Sequence, residues 1–234
     1  MKAYAIVVKG NDVSESAYAN LVRSSYFHGN DFVINTYDAV VPDMVDSMMD
    51  QKGIKWNYPW KGVVNDFSSG LTKSAYPTVN PKARIACALS HYELWERCVA
   101  DNEPYMILEH DAEFVTKFDM DLVDQFKEFH GQVLSINSPL GATRKAALYH
   151  TIIRRTIGKF IPCPTIDDDK IPQGLPGNSA YIIKPQGAQS MIDLVANFGL
   201  WPNDALMCKQ LIHGLYCSSD YYTVVQGTKS TTTL

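Results

Sequence analysis

The chain has 234 residues, of which 46% are hydrophobic and 20% charged, and its formal net charge is -4. That length can bury a full core within one domain, and the composition excludes wholesale disorder. A net negative charge gives no general field for nucleic acid, and five cysteines without a C-x-x-C pair make neither a zinc knuckle nor a disulfide framework.

The N-terminal apolar run, Ala3 to Val8, stops at Lys9 and is too short for a signal peptide or a membrane span. A cytoplasmic protein is expected, with peripheral contact at the inner face of a membrane left open. Residues 3 to 8 read as a buried strand, followed by a helix opening at Ser14. Asp31 to Tyr37 is a second strand. Pro42 opens a short helix through Val45 and Met49 that ends near Gly53. Residues 54 to 80, with Trp56, Tyr58, Trp60 and Tyr76, show neither helical nor strand period and read as a long loop. Its aromatic rings suit either stacking on sugar faces or packing beneath the loop.

Asn80-Pro81 is a helix start, a capping side chain followed by a proline whose missing N–H costs nothing there, and the helix should reach about Asp101. Ile85, Ala88, Tyr92, Trp95 and Val99 form its apolar stripe, and Arg84, Cys87 and His91 line the adjacent one. Arg84 and His91 stand two turns apart, roughly 10 Å along the axis, and could address one diphosphate. Tyr105 to Leu108 reads as a buried strand that delivers Glu109 and Asp111 to its carboxyl end, where open α/β sheets bind ligands. A helix around 120 to 129, strands at 133 to 136 and 148 to 153, and a loop over 162 to 177 follow. Then come a strand from Asn178 to Ile183, a helix begun by Pro185, a helix from Asp204 to His213, a strand from Tyr221 to Val225, and a polar tail over 227 to 234. A single α/β domain spanning 1 to 234 is expected.

Glu109 and Asp111 could hold a hard cation through oxygen, the alternative being a helix cap and a solvated acid; His110 could ligate a metal through imidazole, face the core, or mark a site that works without metal. Ser90 and His91 are adjacent on a helix and point about 100° apart, which argues against a hydrolase dyad. Asp204, delivered by the Trp201-Pro202-Asn203 turn, is either a cap or a carboxylate aimed into a cleft. Asp167, Asp168 and Asp169 read as a solvated run. Arg144, Lys145, Arg154, Arg155 and Lys159 concentrate positive charge that could serve a phosphorylated acceptor or a membrane, although an ordinary solvated face is the simpler account.

The ordered set Ala86-Cys87-Ala88-Leu89-Ser90-His91, Ile107-Leu108-Glu109-His110-Asp111-Ala112, Asn178-Ser179-Ala180-Tyr181-Ile182-Ile183 with Gly187-Ala188, and Asp204 resembles the family 25 glycosyltransferases. That group includes lipooligosaccharide and collagen galactosyltransferases. The resemblance implies a GT-A-like fold with a mixed, mainly parallel sheet flanked by helices. It also implies a UDP-galactose or UDP-glucose donor, a glycan, lipid-linked or other hydroxyl acceptor, transfer with inversion, and a role in lipopolysaccharide biosynthesis. On the same ground, Mn2+ or Mg2+ would sit on Glu109, His110 and Asp111. Arg84, Ser90, His91, Glu109 and Asn178 would contact the donor, and Asp204 and Asp111 would be catalytic, Asp204 as the base. Ala86 stands where the family has glycine, Arg84 where an acid is common, and His110 where the family has a middle acid. Two rivals from other classes are a nucleotide-sugar or carbohydrate-binding module without catalysis and glycosyl transfer to modified nucleic acid, the less favoured partner.

Overall fold

The computed structural model describes residues 1–141, 145–175 and 177–227. Its strands are β1 (Lys2–Val7), β2 (Ile34–Asp38), β3 (Val63–Asp66), β4 (Leu71–Ser74), β5 (Tyr105–Glu109), β6 (Ala112–Phe114), β7 (Val133–Ser135), β8 (Phe160–Pro162), β9 (Ala180–Ile183), β10 (Leu215–Ser218) and β11 (Thr223–Val225). Its α-helices are α1 (Asp12–Phe27), α2 (Val45–Lys52), α3 (Pro81–Asp101), α4 (Met120–Glu128), α5 (Ala146–Arg155), α6 (Pro185–Phe198) and α7 (Asn203–Leu206).

Seven strands form the central sheet in the order β2-β1-β5-β9-β7-β10-β8, and five of them run one way while β9 and β8 oppose. This is the expected mixed, mainly parallel α/β sheet. Along β5 the side chains alternate faces, as a pleated strand requires. Tyr105 and Ile107 pack with Leu89 and Trp95 of α3 and Met191 of α6 on one face, and Met106 and Leu108 pack with Leu21 of α1 and Phe126 of α4 on the other. Both faces are covered, which is why the strand is a continuous apolar run. Glu109, next in the alternation after Ile107, falls on the α3 side.

Several expectations hold at the level of single residues. The side chain of Asn80 accepts from Ala83 N, with Pro81 in the first turn, and α3 ends at Asp101. Gly53 ends α2 at φ 64, a left-handed cap where a side chain would be strained. Others are corrected. Helix α1 starts at Asp12 rather than Ser14, because Asn11 caps it and the buried Ser14 hydroxyl accepts from Val8 N instead. The 54–80 stretch contains the β3–β4 hairpin; Val63 and Val64 are exposed, so no apolar alternation marks the strand. Residues 148–153 lie in α5, not a strand, with Tyr149 and Ile153 buried four apart, one helical turn. The helix expected over 204–213 stops at Leu206, and Cys208 bridges to Gly174 instead. Strands β6, β8 and β10, of three or four residues, were too short to show a period. Arg144 and the tail beyond Gly227 lie outside the described residues. No helix among those described is long and apolar enough to cross a membrane.

Candidate functional site

The chain leaves β1 outward to β2 and returns across it to β5, so the carboxyl ends of β1 and β5 flank a topological switch, the place where open sheets bind ligands. A cleft of about 480 Å³ opens there, walled by the first half of α3, the start of β9 and the α7 turn. Arg84, Ser90, His91, Glu109, His110, Asp111, Asn178 and Asp204 all line it, so residues as far apart as 84 and 204 converge.

Arg84, Ser90 and His91 on the α3 wall each have defined partners. Arg84 donates from Nε to Thr78 Oγ1 (2.8 Å) and from an amino group to Pro77 O (3.0 Å), and its guanidinium lies 5.3 Å from the Tyr76 ring. It is a cation fixed at the mouth of an otherwise acidic cleft. Ser90 Oγ donates to Ala86 O and accepts from Val40 N, both at 2.9 Å, which ties α3 to the segment after β2. Fully buried His91 has both ring nitrogens engaged, Nδ1 with Tyr181 Oη at 2.9 Å and Nε2 with Glu109 Oε1 at 3.3 Å. Tyr181 Oη accepts from the Trp95 indole N–H at 3.0 Å, leaving its own proton for Nδ1. The network therefore assigns the imidazole proton to Nε2, donated to the Glu109 carboxylate.

Two acids of the cleft have raised carboxyls. Burial, and then the charge of Glu109, push Asp111 up to about 7, and its buried Oδ1 has no hydrogen-bond partner. Asp204 projects into the cleft, where solvent reaches it, yet surrounding protein raises its carboxyl. Glu109 adds to that shift, whereas Arg84 and a hydrogen bond from Tyr76 oppose it. A Cβ at Gly174 would sit 2.2 Å from Asp204 O, so only glycine lets that loop brace the α7 turn. Burial likewise pushes the Cys87 thiol up, reinforced by Glu109 and Asp204.

Asn178 Oδ1 and Nδ2, Ser179 Oγ and Asn203 Nδ2 are also buried on this cleft without partners. Unsatisfied buried polar groups are uncommon in folded proteins, and a cluster of them on one cavity is what a polar ligand would complete. Cys87 was read as part of a helix stripe and of a family motif without a role of its own, and Ser179, Tyr181 and Asn203 gave no separate signal, because nothing local to their sequence marks an unpaired or network-forming side chain.

The donor atoms that lie together differ from the expected metal set. Among the described residues, the His/Cys/Asp/Glu group with donor atoms within 4.8 Å of one another is Cys87, His91 and Glu109, not Glu109, His110 and Asp111. The chain turns between β5 and β6 at His110 and Asp111, so consecutive side chains diverge. Burial holds the His110 imidazole below its usual range, against the pull of Glu109 and the Ile6 backbone.

Outside the cleft, the aromatic loop is largely packed. Trp56 and Trp60 stack with centroids 4.8 Å apart, and Tyr58 lies 5.8 Å from Trp201. The basic cluster is dispersed over separate partners: Lys145 pairs with Asp167, Lys159 with Asp119, and Arg154 donates to Ser219 O. Asp168 caps a turn at Lys170 N, and buried Gln173 organises the rest of that loop by bonding Ile166, Asp167 and Asp168.

No curated protein matches the chain by sequence. Among solved structures it is similar to an active-site mutant of LgtC, at 11% identity over 93% of this chain and 72% of that one, with a TM-score of 0.43. It is also similar to the galactosyltransferase LgtC in complex with donor and acceptor sugar analogs (10% identity, 93% and 73% coverage, TM-score 0.42). Mouse xyloside xylosyltransferase 1 in its apo form is a third (12% identity, 91% and 83% coverage, TM-score 0.39). At such distances the site has to be read from this chain's own residues. The sequence pattern of glycosyltransferase family 25 (LPS biosynthesis protein) matches residues 65–207, which is more than half of the chain and holds the α3 wall, the β5 acids, the β9 edge and Asp204. The chain belongs to glycosyltransferase family 25.

Proposed function

We infer that the cleft takes a nucleotide-sugar, UDP-galactose or UDP-glucose, and transfers its hexose with inversion to a hydroxyl of a glycan or lipid-linked acceptor. The observation that carries this reading is the convergence of Arg84, Asp204 and the unpartnered polar atoms of Asp111, Asn178, Ser179 and Asn203 on one cavity at the strand ends. Arg84 faces the diphosphate, and the Asn178, Ser179 and Asn203 groups meet the polar atoms of nucleotide and sugar. Asp204 accepts the acceptor's hydroxyl proton as that oxygen bonds to the anomeric carbon. The bond from that carbon to the diphosphate oxygen breaks, and the nucleoside diphosphate leaves with the electron pair. A base whose carboxyl is raised above its ordinary value by its surroundings suits the task, and its rate should fall as acid protonates it.

A divalent cation of the Mg2+ or Mn2+ type fits the acids better than it fits His110, since Asp111 offers a buried carboxylate oxygen with no other partner. Asp111 and Glu109 would hold it, and when bound it supplies charge neutralisation on the departing diphosphate.

The test is a panel of UDP-hexoses incubated with the purified protein and followed by nucleoside diphosphate release, with and without EDTA. Turnover of UDP-galactose or UDP-glucose, lost in EDTA and restored by Mn2+, is the expected result. Tight donor binding without turnover across many acceptors would instead make this a binding module, and no binding of any nucleotide-sugar would sink the reading altogether.

A further inference from the structure

Cys87 and His91 sit four residues apart on α3, one turn along the same face, and Glu109 reaches them from the end of β5. We propose that Cys87, His91 and Glu109 form a binding site for a thiophilic divalent cation, zinc, with its fourth position open to the cleft. The site goes beyond the transfer reaction and stands on these side chains whether or not the cleft moves sugar.

The geometry suits a tetrahedral ion. His91 Nε2 and Glu109 Oε1 are 3.3 Å apart. Two metal bonds of about 2.05 Å reaching atoms at that spacing meet at about 107°, close to the tetrahedral angle, so the ion replaces the proton that now lies between them. Tetrahedral S–Zn–N geometry needs about 3.6 Å between sulfur and nitrogen. All three donor atoms already lie within 4.8 Å of one another, and a side-chain torsion of Cys87 closes the remainder.

The chemistry also balances. On binding, the Cys87 thiol gives its proton to solvent, and His91 moves its own proton from Nε2 to Nδ1. Nδ1–H then donates to Tyr181 Oη, 2.9 Å away, which also accepts from Trp95, and the Tyr181 hydroxyl hydrogen rotates off Nδ1 as the direction of that bond reverses. A ligating histidine whose other nitrogen is held by a buried partner is the usual outer arrangement of zinc sites. One sulfur, one imidazole and one carboxylate favour zinc over Mg2+ or Mn2+, which prefer all-oxygen sites. Two cations would compete for Glu109, so zinc at this position takes that carboxylate away from a donor-bound ion.

The experiment uses the whole protein, stripped with EDTA and desalted, with Co2+ as the spectroscopic probe and Zn2+ as competitor. One equivalent of Co2+ should give tetrahedral visible bands and a thiolate-to-cobalt band in the near ultraviolet, and Zn2+ but not millimolar Mg2+ should displace it. Cys87→Ser should lose the thiolate band, and Tyr181→Phe should weaken zinc binding about 10- to 100-fold while keeping the band. As a readout on unaltered protein, zinc should protect Cys87 from alkylation; it is half-buried whereas the other four cysteines are buried. The proposal is overturned if wild type and Cys87→Ser bind Co2+ alike without a thiolate band, or if zinc leaves the alkylation rate of Cys87 unchanged. Nucleotide-sugar turnover is not a readout, so failure here leaves the transferase reading standing, and the reverse.

Discussion

The β3–β4 hairpin and the cleft both bury charge, and they treat it in opposite ways. In the hairpin, Lys73 is 2% exposed; its ammonium reaches Asp66 at 3.0 Å and Asn57 O at 2.6 Å and lies 4.4 Å from the Trp201 ring centre. Burial alone would raise Asp66, but hydrogen bonds from Ser68, Lys73 and Ser69 outweigh it and hold the carboxyl at about 2. In the cleft, Asp111 Oδ1, the Asn178 amide, Ser179 Oγ and Asn203 Nδ2 have no partner, and Asp111 is pushed the other way. Burial is common to both regions. What separates them is whether the hydrogen bonds are complete, and an incomplete set on a cavity marks where a ligand belongs.

The sharpest way to break this contrast is at Asp204. If it is the base, Asp204→Asn should cut kcat by about 10²- to 10⁴-fold while leaving UDP-sugar affinity close to wild type. Nucleotide release and calorimetry measure the two halves, and full activity would remove Asp204 from the role. The hairpin should answer in the other currency. Lys73→Met leaves Asp66 buried without its cation and should cost about 3 kcal/mol of stability in urea, with donor affinity unchanged. Because Asp66 is depressed when folded, its contribution is present above about pH 4 and disappears as pH falls toward about 2, and the variant should lose the part of that acid dependence that Lys73 supplies while the Ser68 and Ser69 bonds keep the rest. A Lys73 variant as stable as wild type would mean the pair only breaks even.

The same contrast explains how much could be read in advance. Helix α3 was legible to the residue because its signals are local: a capping asparagine, a proline in the first turn and an apolar stripe. Strand β5 was legible because both its faces are buried. The site residues were visible as types in a familiar order, and the fold brings them to one cleft. Their partners were not visible, since whether His91 meets a diphosphate or meets Tyr181 and Glu109 depends on side chains 90 and 18 positions away. The hairpin escaped because what it buries is the Lys73–Asp66 pair against Trp201 rather than an alternating apolar face. The expected strand at 148–153 failed because a short apolar run fits either period, and only the packing of Tyr149 and Ile153 decides.

Asp111 allows a finer test, because its cost is present in the folded protein without any ligand. With its folded carboxyl near pH 7 and its unfolded one near 4, the native state holds more protons across that window. Its contribution is therefore full below about pH 4 and is lost as pH rises through about 7. Asp111→Asn carries no titrating charge and should be more stable than wild type at pH 8, on the order of 2 kcal/mol after allowing for partial solvent screening. The advantage should shrink to nothing below about pH 4, which urea midpoints across the range would show. Asp204, also raised, titrates in the same sense in both proteins, so it is the difference between the two curves that isolates Asp111. A constant difference at all pH values would mean the carboxyl is not perturbed. A matching difference, together with weaker Mn2+ dependence of transfer, would show that wild type keeps an unfavourable acid in its cleft to bind a divalent ion there.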